Sequence, residues 1–487
     1  MASMSALFDR SRFQLSPGHV GGIALLLLLL AGIPLAFASS ATIFADGDVS
    51  WHIAAGQWIL LHRAIPTADP FSFTVFGHPW IAMEWLADVA YGGVFALGGY
   101  AGVAAVVAAA LVTLHAIVFQ HIRRSVGLVG ICTCFVAMDA VLGTFLLARP
   151  HLLVWPILAG WTALLLRSSQ TGKPPSYWSL LLLVLWTNIH ASFPLAILIA
   201  SAISLDALIV CRWRTWPQWT AFLCASAISL MMNANGLPGL LQPFHIAGLK
   251  MLPNILEWQP SSPSLTPQFY AVLLLGLGAL LWRGVAIPIG RLVLLLALLG
   301  LALMQLRHQE WFIIVAALVL PPLFRSRGWT GTTPVGPALL VAWLMVAGRA
   351  ILPIVPDEGV ASPRQLIAAV PDSLRSQPVL NGYTFGGPLI LAGIRPYIDG
   401  RAEMYGDEFF ADYQDILNGD TVRFDDVVKR YDIRWTMLPP SSGRLIKTIE
   451  SSGKWRRIYS DRVGVIDVRE FEAPFTRLSP TKGNSLH

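Results

Sequence analysis

The sequence predicts a mainly α protein: a polytopic transmembrane helical chain of about eleven spans, followed by an exported α/β domain resembling no membrane segment. Three observations predict it. Of 487 residues, 55% are hydrophobic and 13% charged, with mean hydropathy +0.60; a soluble domain carries about twice that charge. Apolar runs such as 20–44 and 100–119 reach the ~20 residues that cross a bilayer. Basic pairs recur between alternate runs, as membrane orientation requires.

The first run, 20–43, follows Arg10 and Arg12 and ends on Ala-Phe-Ala-Ser-Ser at 36–40. It reads as a retained anchor rather than a cleaved signal peptide, because so many spans follow. The remaining spans are expected at 100–121, 127–148, 152–168, 177–190, 193–211, 216–234, 267–282, 291–306, 311–324 and 334–354. With the N-terminus inside, the inner loops hold Arg123 with Arg124, Arg167 with Lys173, Arg212 with Arg214, Arg283 with Arg291, and Arg325 with Arg327. The outer loops hold Arg63, Arg149, Lys250 and Arg307. An odd number of spans puts the C-terminus on the exported side. The net charge of +6 and pI near 9.2 thus reflect orientation and argue no nucleic-acid partner. Cys132, Cys134, Cys211 and Cys224 lie in or beside apolar runs, without disulfide or zinc spacing.

Two regions lie outside the membrane. One is the first exported loop, 44–84, with a Gly-rich stretch 85–99 expected along the interface. The other is the tail, 356–487, set apart from the transmembrane domain 1–355. Strand-like pieces at 378–380, 396–399, 435–438 and 463–468 alternate there with helix-like ones at 407–417, 425–431 and 445–451. This alternation marks a small α/β domain.

The candidate chemistry gathers on the exported side. Asp46 and Asp48, one glycine apart after the first span, can converge on a divalent cation or on a substrate hydroxyl. His52 follows at helical spacing. A helix N-cap explains one aspartate but not the pair with His52. Asp69, before Pro70, is expected to make a turn. Glu84, between tryptophans at the membrane edge, is the better catalytic candidate. Polar groups recur at the outer ends of spans: Arg149 with His151, Asn188 with His190, Asn233 with Asn235, Glu257, and Arg307 with His308 and Glu310. Each alone reads as a cap, a turn or a snorkelling side chain. Together they mark a polar face, because ionisable groups in spans are costly and face cavities or pathways. Arg149 and Arg307 suit a phosphate or pyrophosphate, since a guanidinium forks onto two oxygens. In the tail, Asp399, Arg401 and Glu403 alternate after an expected strand, open to either a cleft-facing or a surface ion-pair reading.

These residues resemble the C-type glycosyltransferase superfamily, and more closely a group of uncharacterised bacterial membrane proteins built in that style. The resemblance is carried by Asp-x-Asp-x-x-Trp-His from Asp46 to His52, Gly-x-Trp-Ile from Gly56, Ile-Pro-x-x-Asp-Pro-Phe-Ser from Ile65 and Glu84-Trp85. Ile-Asp-Gly-Arg-Ala-x-x-Tyr-Gly from Ile398 extends it to the tail. The resemblance implies a multi-pass protein of the bacterial inner membrane, with a cytoplasmic N-terminus and a periplasmic tail. It implies transfer of a sugar from a polyprenyl-phosphate donor, held among membrane lipids, to an envelope glycan, lipid or protein. Asp46 or Asp48 would be the general base or would hold Mg²⁺ or Mn²⁺, and Arg149 and Arg307 would meet the leaving phosphate. His52, Glu84, Asp399, Arg401 and Glu403 would shape the acceptor site, with His151, His190, Asn235 and His308 among the substrate-binding groups. One departure stands: no tail residue matches a known catalytic position of the superfamily. Two other classes compete. A transporter or flippase for a lipid-linked or anionic solute would use the same arginines and histidines, but should show polar groups at mid-membrane or a repeated half. A non-catalytic subunit of an envelope polysaccharide machine would use the tail for docking.

Overall fold

A computed structural model describes residues 24–211, 213–324 and 335–470. Arg10, Arg12, Arg212, Arg325 and Arg327 of the orientation argument, and tail residues 471–487, lie outside the described residues. Helices dominate, and one small sheet lies in the tail.

The expectation of about eleven spans is corrected. Among the described residues, three helices are long and apolar enough to cross a membrane: Trp85–Ile122, Leu128–Phe145 and Pro150–Thr171. Six shorter apolar helices of 10–17 residues accompany them. The reason is that an apolar run is not a helix of the same length. The run 177–190 opens as a 3₁₀ turn, Tyr177–Leu180, leaving the nine-residue helix Leu181–Ile189. At 1.5 Å per residue that is about 14 Å, against a hydrocarbon core of ~30 Å. Prolines open Pro150–Thr171, Pro194–Val210 and Pro267–Trp282, where the missing N–H costs nothing.

The stretch 85–99 is helical as expected, and a break at Gly98 and at Gly99, whose φ of 57° and ψ of −145° suit only glycine, divides Trp85–Ile122 into two helices there. This broken helix is the hub of the bundle, packed against Asp48–His62, Pro150–Thr171 and Val335–Ile351.

The tail sheet has order β1-β2-β4-β3, with β1 Val379–Asn381, β2 Trp435–Leu438, β3 Trp455–Ser460 and β4 Val465–Arg469. β1 and β2 are parallel and the other pairs antiparallel. Helices Ala402–Leu417, Thr421–Arg430 and Gly443–Ser451 correspond to the expected ones, the first starting five residues early. The strand expected at 396–399 is absent. That segment is instead bound by one side chain: Asn381 Nδ2 donates to the Ile398 carbonyl at 2.8 Å, and the Tyr397 N–H donates to Asn381 Oδ1 at 2.7 Å. The unforeseen strand β3 is an edge whose mixed burial hides the period-2 signal.

Glycines let the tail meet the first loop at backbone distance. A methyl on Gly387 would strike the Gly47 carbonyl, and one on Gly47 would strike that of Thr384. Thr74 Oγ1 donates to the Tyr397 carbonyl at 2.7 Å.

Candidate functional site

Helix Asp48–His62 opens at the centre of the site. Asp46 Oδ1 accepts the Asp48 N–H at 2.9 Å in a local turn, but the N-cap is Gly47, so neither aspartate caps the helix. The other Asp46 oxygen faces Arg149: Nη1 lies 3.1 Å from Asp46 Oδ2, while Nη2 lies 3.1 Å from Asp48 Oδ2. The extended backbone of Arg149, just before Pro150, aims its guanidinium back at the first loop. Nη1 also donates to Glu257 Oε2 at 2.9 Å, and the second oxygen of Glu257 lies 3.4 Å from Arg307 Nη1. Arg307 in turn stacks on Trp258, 4.2 Å from the ring centre. These five side chains are each 18–29% accessible, so the cluster reaches the surface and is not a sealed core.

The tail packs against one side of that cluster. A Cβ on Gly400 would overlap Asp48 Oδ1, and the Tyr383 hydroxyl donates to the Gly400 carbonyl at 3.3 Å. Burial, reinforced by the Asp46 charge, pushes the Asp48 carboxyl up to about 7 against the pull of Arg149. Burial also lifts Glu257, but Arg149 and Arg307 outweigh it and hold the carboxyl down at about 2.

Among the described residues no side-chain hydrogen bond or ion pair joins His52 to Asp48. His52 turns into a second polar group, where its Nδ1 lies 2.7 Å from Asp88 Oδ1, both residues being buried. Its Nε2 is 3.7 Å from Glu84 Oε2, and His190 Nε2 is 3.5 Å from Glu84 Oε1. Burial raises the Glu84 carboxyl to about 8 and depresses the His52 imidazole. His190 Nδ1 is 2.9 Å from Ser192 Oγ, and His151 Nε2 lies 3.6 Å from Glu310 Oε2. The rings of His151 and His190 are 6.3 Å apart, so the histidines of separate helices converge.

Asp399 and Arg401 sit elsewhere. Arg401 forks onto Asp399 at 2.9 and 2.7 Å, donates to Asp69 Oδ1 at 2.7 Å, and lies over Trp80. Asp69 does make the expected turn, accepting the Phe71 and Ser72 N–H groups at 3.0 Å each. All three ionic partners are sealed, so this cluster clamps the first loop to the tail instead of facing a ligand or the surface. Glu403 is half-buried beside it, its carboxyl raised by burial. Asn235 flanks the helix Gly236–Ala247 and has no hydrogen bond or ion pair to the cluster among the described residues. His308 Nδ1 is buried without a hydrogen-bond partner among the described residues.

Asp88 carries part of the site's geometry and is missed in the sequence, whereas Glu257 and Glu310 are read there as members of the polar face without a role of their own. Their signal was present: each is a carboxylate inside or beside an apolar run. Among the described residues, no group of three or more His, Cys, Asp or Glu is arranged to hold a metal ion.

No family model and no characterised relative matches the chain. Its fold is similar to that of the Archaeoglobus fulgidus oligosaccharyltransferase in the apo form, with TM-score 0.51 over 86% of this chain and 69% of that one, at 9% identity. The structure of the same archaeal enzyme in complex with Zn and sulfate gives TM-score 0.47 at 12% identity, over 93% and 73%. At such identity the likeness is one of fold. It agrees with the expected mainly helical fold that carries a small α/β portion in its tail.

Proposed function

We propose that the chain is a membrane glycosyltransferase that moves a sugar from a polyprenyl-phosphate donor to an envelope acceptor. The observation that carries this reading is Asp48, a carboxyl poised at about 7, beside Arg149 and under the Gly400 wall. A general base works best when its pKa lies near the working pH. Asp48 takes the proton of the acceptor hydroxyl as that oxygen attacks the anomeric carbon. The bond from that carbon to the donor phosphate breaks, its electron pair stays on the phosphate oxygen, and Arg149 and Arg307 meet the charge. Glu84, with His52 and His190 at its two oxygens, lines the acceptor side. The cleft opens on the non-cytoplasmic face of a bacterial inner membrane, and residues 356–487 form a periplasmic domain whose glycines complete it.

A divalent ion fits this site in a restricted way. Asp46 and Asp48 each already spend one oxygen on Arg149, and Asp46 spends its second on a backbone N–H. Mg²⁺ or Mn²⁺ would therefore have few protein ligands and need substrate phosphate and water oxygens, as Mg²⁺ commonly does. When bound, it would neutralise phosphate charge.

The test is transfer in proteoliposomes from a labelled polyprenyl-phosphate sugar. Wild-type protein should label an envelope acceptor, and the Asp46→Asn, Asp48→Asn double variant should not. Equal labelling by the two would end the enzyme reading.

A further inference from the structure

Three carboxylates surround Arg149, and they are not held alike. Asp46 and Asp48 are fixed at the head of helix Asp48–His62, where Gly47 is wedged against Thr384 and Gly387. Glu257 sits on the single 3₁₀ turn Leu256–Trp258, which contributes no buried residue and leaves Leu256 61% exposed. Among the described residues its carboxylate bonds only to the two arginines, one oxygen to each. A carboxylate bridging two guanidinium groups has the shape and charge of an O–P–O edge. If it leaves, Arg307 keeps its place on the Trp258 ring and Arg149 keeps Asp46 and Asp48.

We propose that Glu257 is a resident anion standing in the donor phosphate's place, and that a singly charged phosphodiester displaces it. This rests on the transferase reading of the same cleft. The charge count selects the ligand class. Arg149 and Arg307 face Asp46, Asp48 and Glu257, so exchanging Glu257 for a phosphodiester leaves the balance unchanged. A pyrophosphate would add negative charge against the two remaining aspartates. Glu257 thereby sets a threshold that weak anions do not cross, and the arginines are never left bare in a low-dielectric cleft.

The experiment is calorimetric titration of the detergent-purified full chain with dioctyl phosphate, a singly charged diester, in metal-free buffer. Removing a charged competitor should tighten binding by Glu257→Gln about tenfold or more over wild type. Glu257→Ser should show the same gain, which covers the case in which the glutamine variant does not fold. Farnesyl diphosphate should bind wild type no more tightly than the diester. Unchanged or weaker binding by the variants overturns the proposal, as does tighter binding of the diphosphate or no binding at all. No sugar is involved, so the two readings fail separately. Tightened binding without sugar transfer removes the transferase reading, and transfer without tightening removes the stand-in.

Discussion

Replacing Asp46 by Asn should move the pH dependence of transfer toward acid. Asp48 sits at about 7 because it is buried and because the Asp46 charge opposes its ionisation, while Arg149 favours it. The ionised form is the base, so the rate should climb with pH and level off above about 7. At pH 6, about a tenth of Asp48 is ionised and the rate should be about a tenth of its plateau. Removing the Asp46 charge lowers the Asp48 pKa, so the variant keeps a larger fraction of its own plateau at pH 6. Asp48→Asn, which keeps the shape but not the proton acceptor, should lose about 10²–10⁴-fold against the wild-type plateau and show no limb near 7, so its deficit narrows as pH falls. The assay is initial-rate transfer in proteoliposomes from pH 5 to 9 with saturating donor. A limb that moves to alkaline pH in Asp46→Asn, or stays near 7 in Asp48→Asn, would refute Asp48 as the base.

Gly400→Ala should abolish transfer while leaving the thermal unfolding midpoint nearly unchanged, because the methyl displaces the Asp48 carboxylate rather than a core side chain. Arg401→Met leaves Asp69 and Asp399 buried without their cation, a loss of about 3–5 kcal/mol; limited proteolysis should then cut between the first loop and the tail. Asp88→Asn frees the His52 ring from its 2.7 Å partner. It should lower kcat with little change in KM for the donor, and His52→Ala should add nothing further if the two act through Glu84.

Local chemistry carried much of the candidate site into the sequence. Asp46, Asp48, Glu84, Arg149, His190 and Arg307 stand out because a charge beside an apolar run has no cheap explanation. What the string hid were distant pairings. Arg149 meets Asp46 and Glu257 across more than a hundred positions each, and Arg401 meets Asp69 across 332. The alternation of Asp399, Arg401 and Glu403 suggested a shared cleft. Asn381 instead holds residues 397 and 398 by its side chain, so no strand pleat orients the three.

The sequence by itself determined the helical bundle, the change of composition before the tail, and the recurrence of polar groups at the ends of apolar runs. Hydrophobic run length and charge placement are local properties, and solvent or lipid acts on them residue by residue. The tertiary structure alone decided which helices are long enough to span, which carboxylates are open and which sealed, and where the tail sits. Those depend on close approaches that only glycine admits, as of the Gly47 and Gly387 backbones to each other and of the Asp48 carboxylate to Gly400. The placement of charges separates the Asp48 carboxyl near 7 from the Glu257 carboxyl near 2: burial lifts both, Asp46 lifts Asp48 further, and Arg149 with Arg307 pulls Glu257 down.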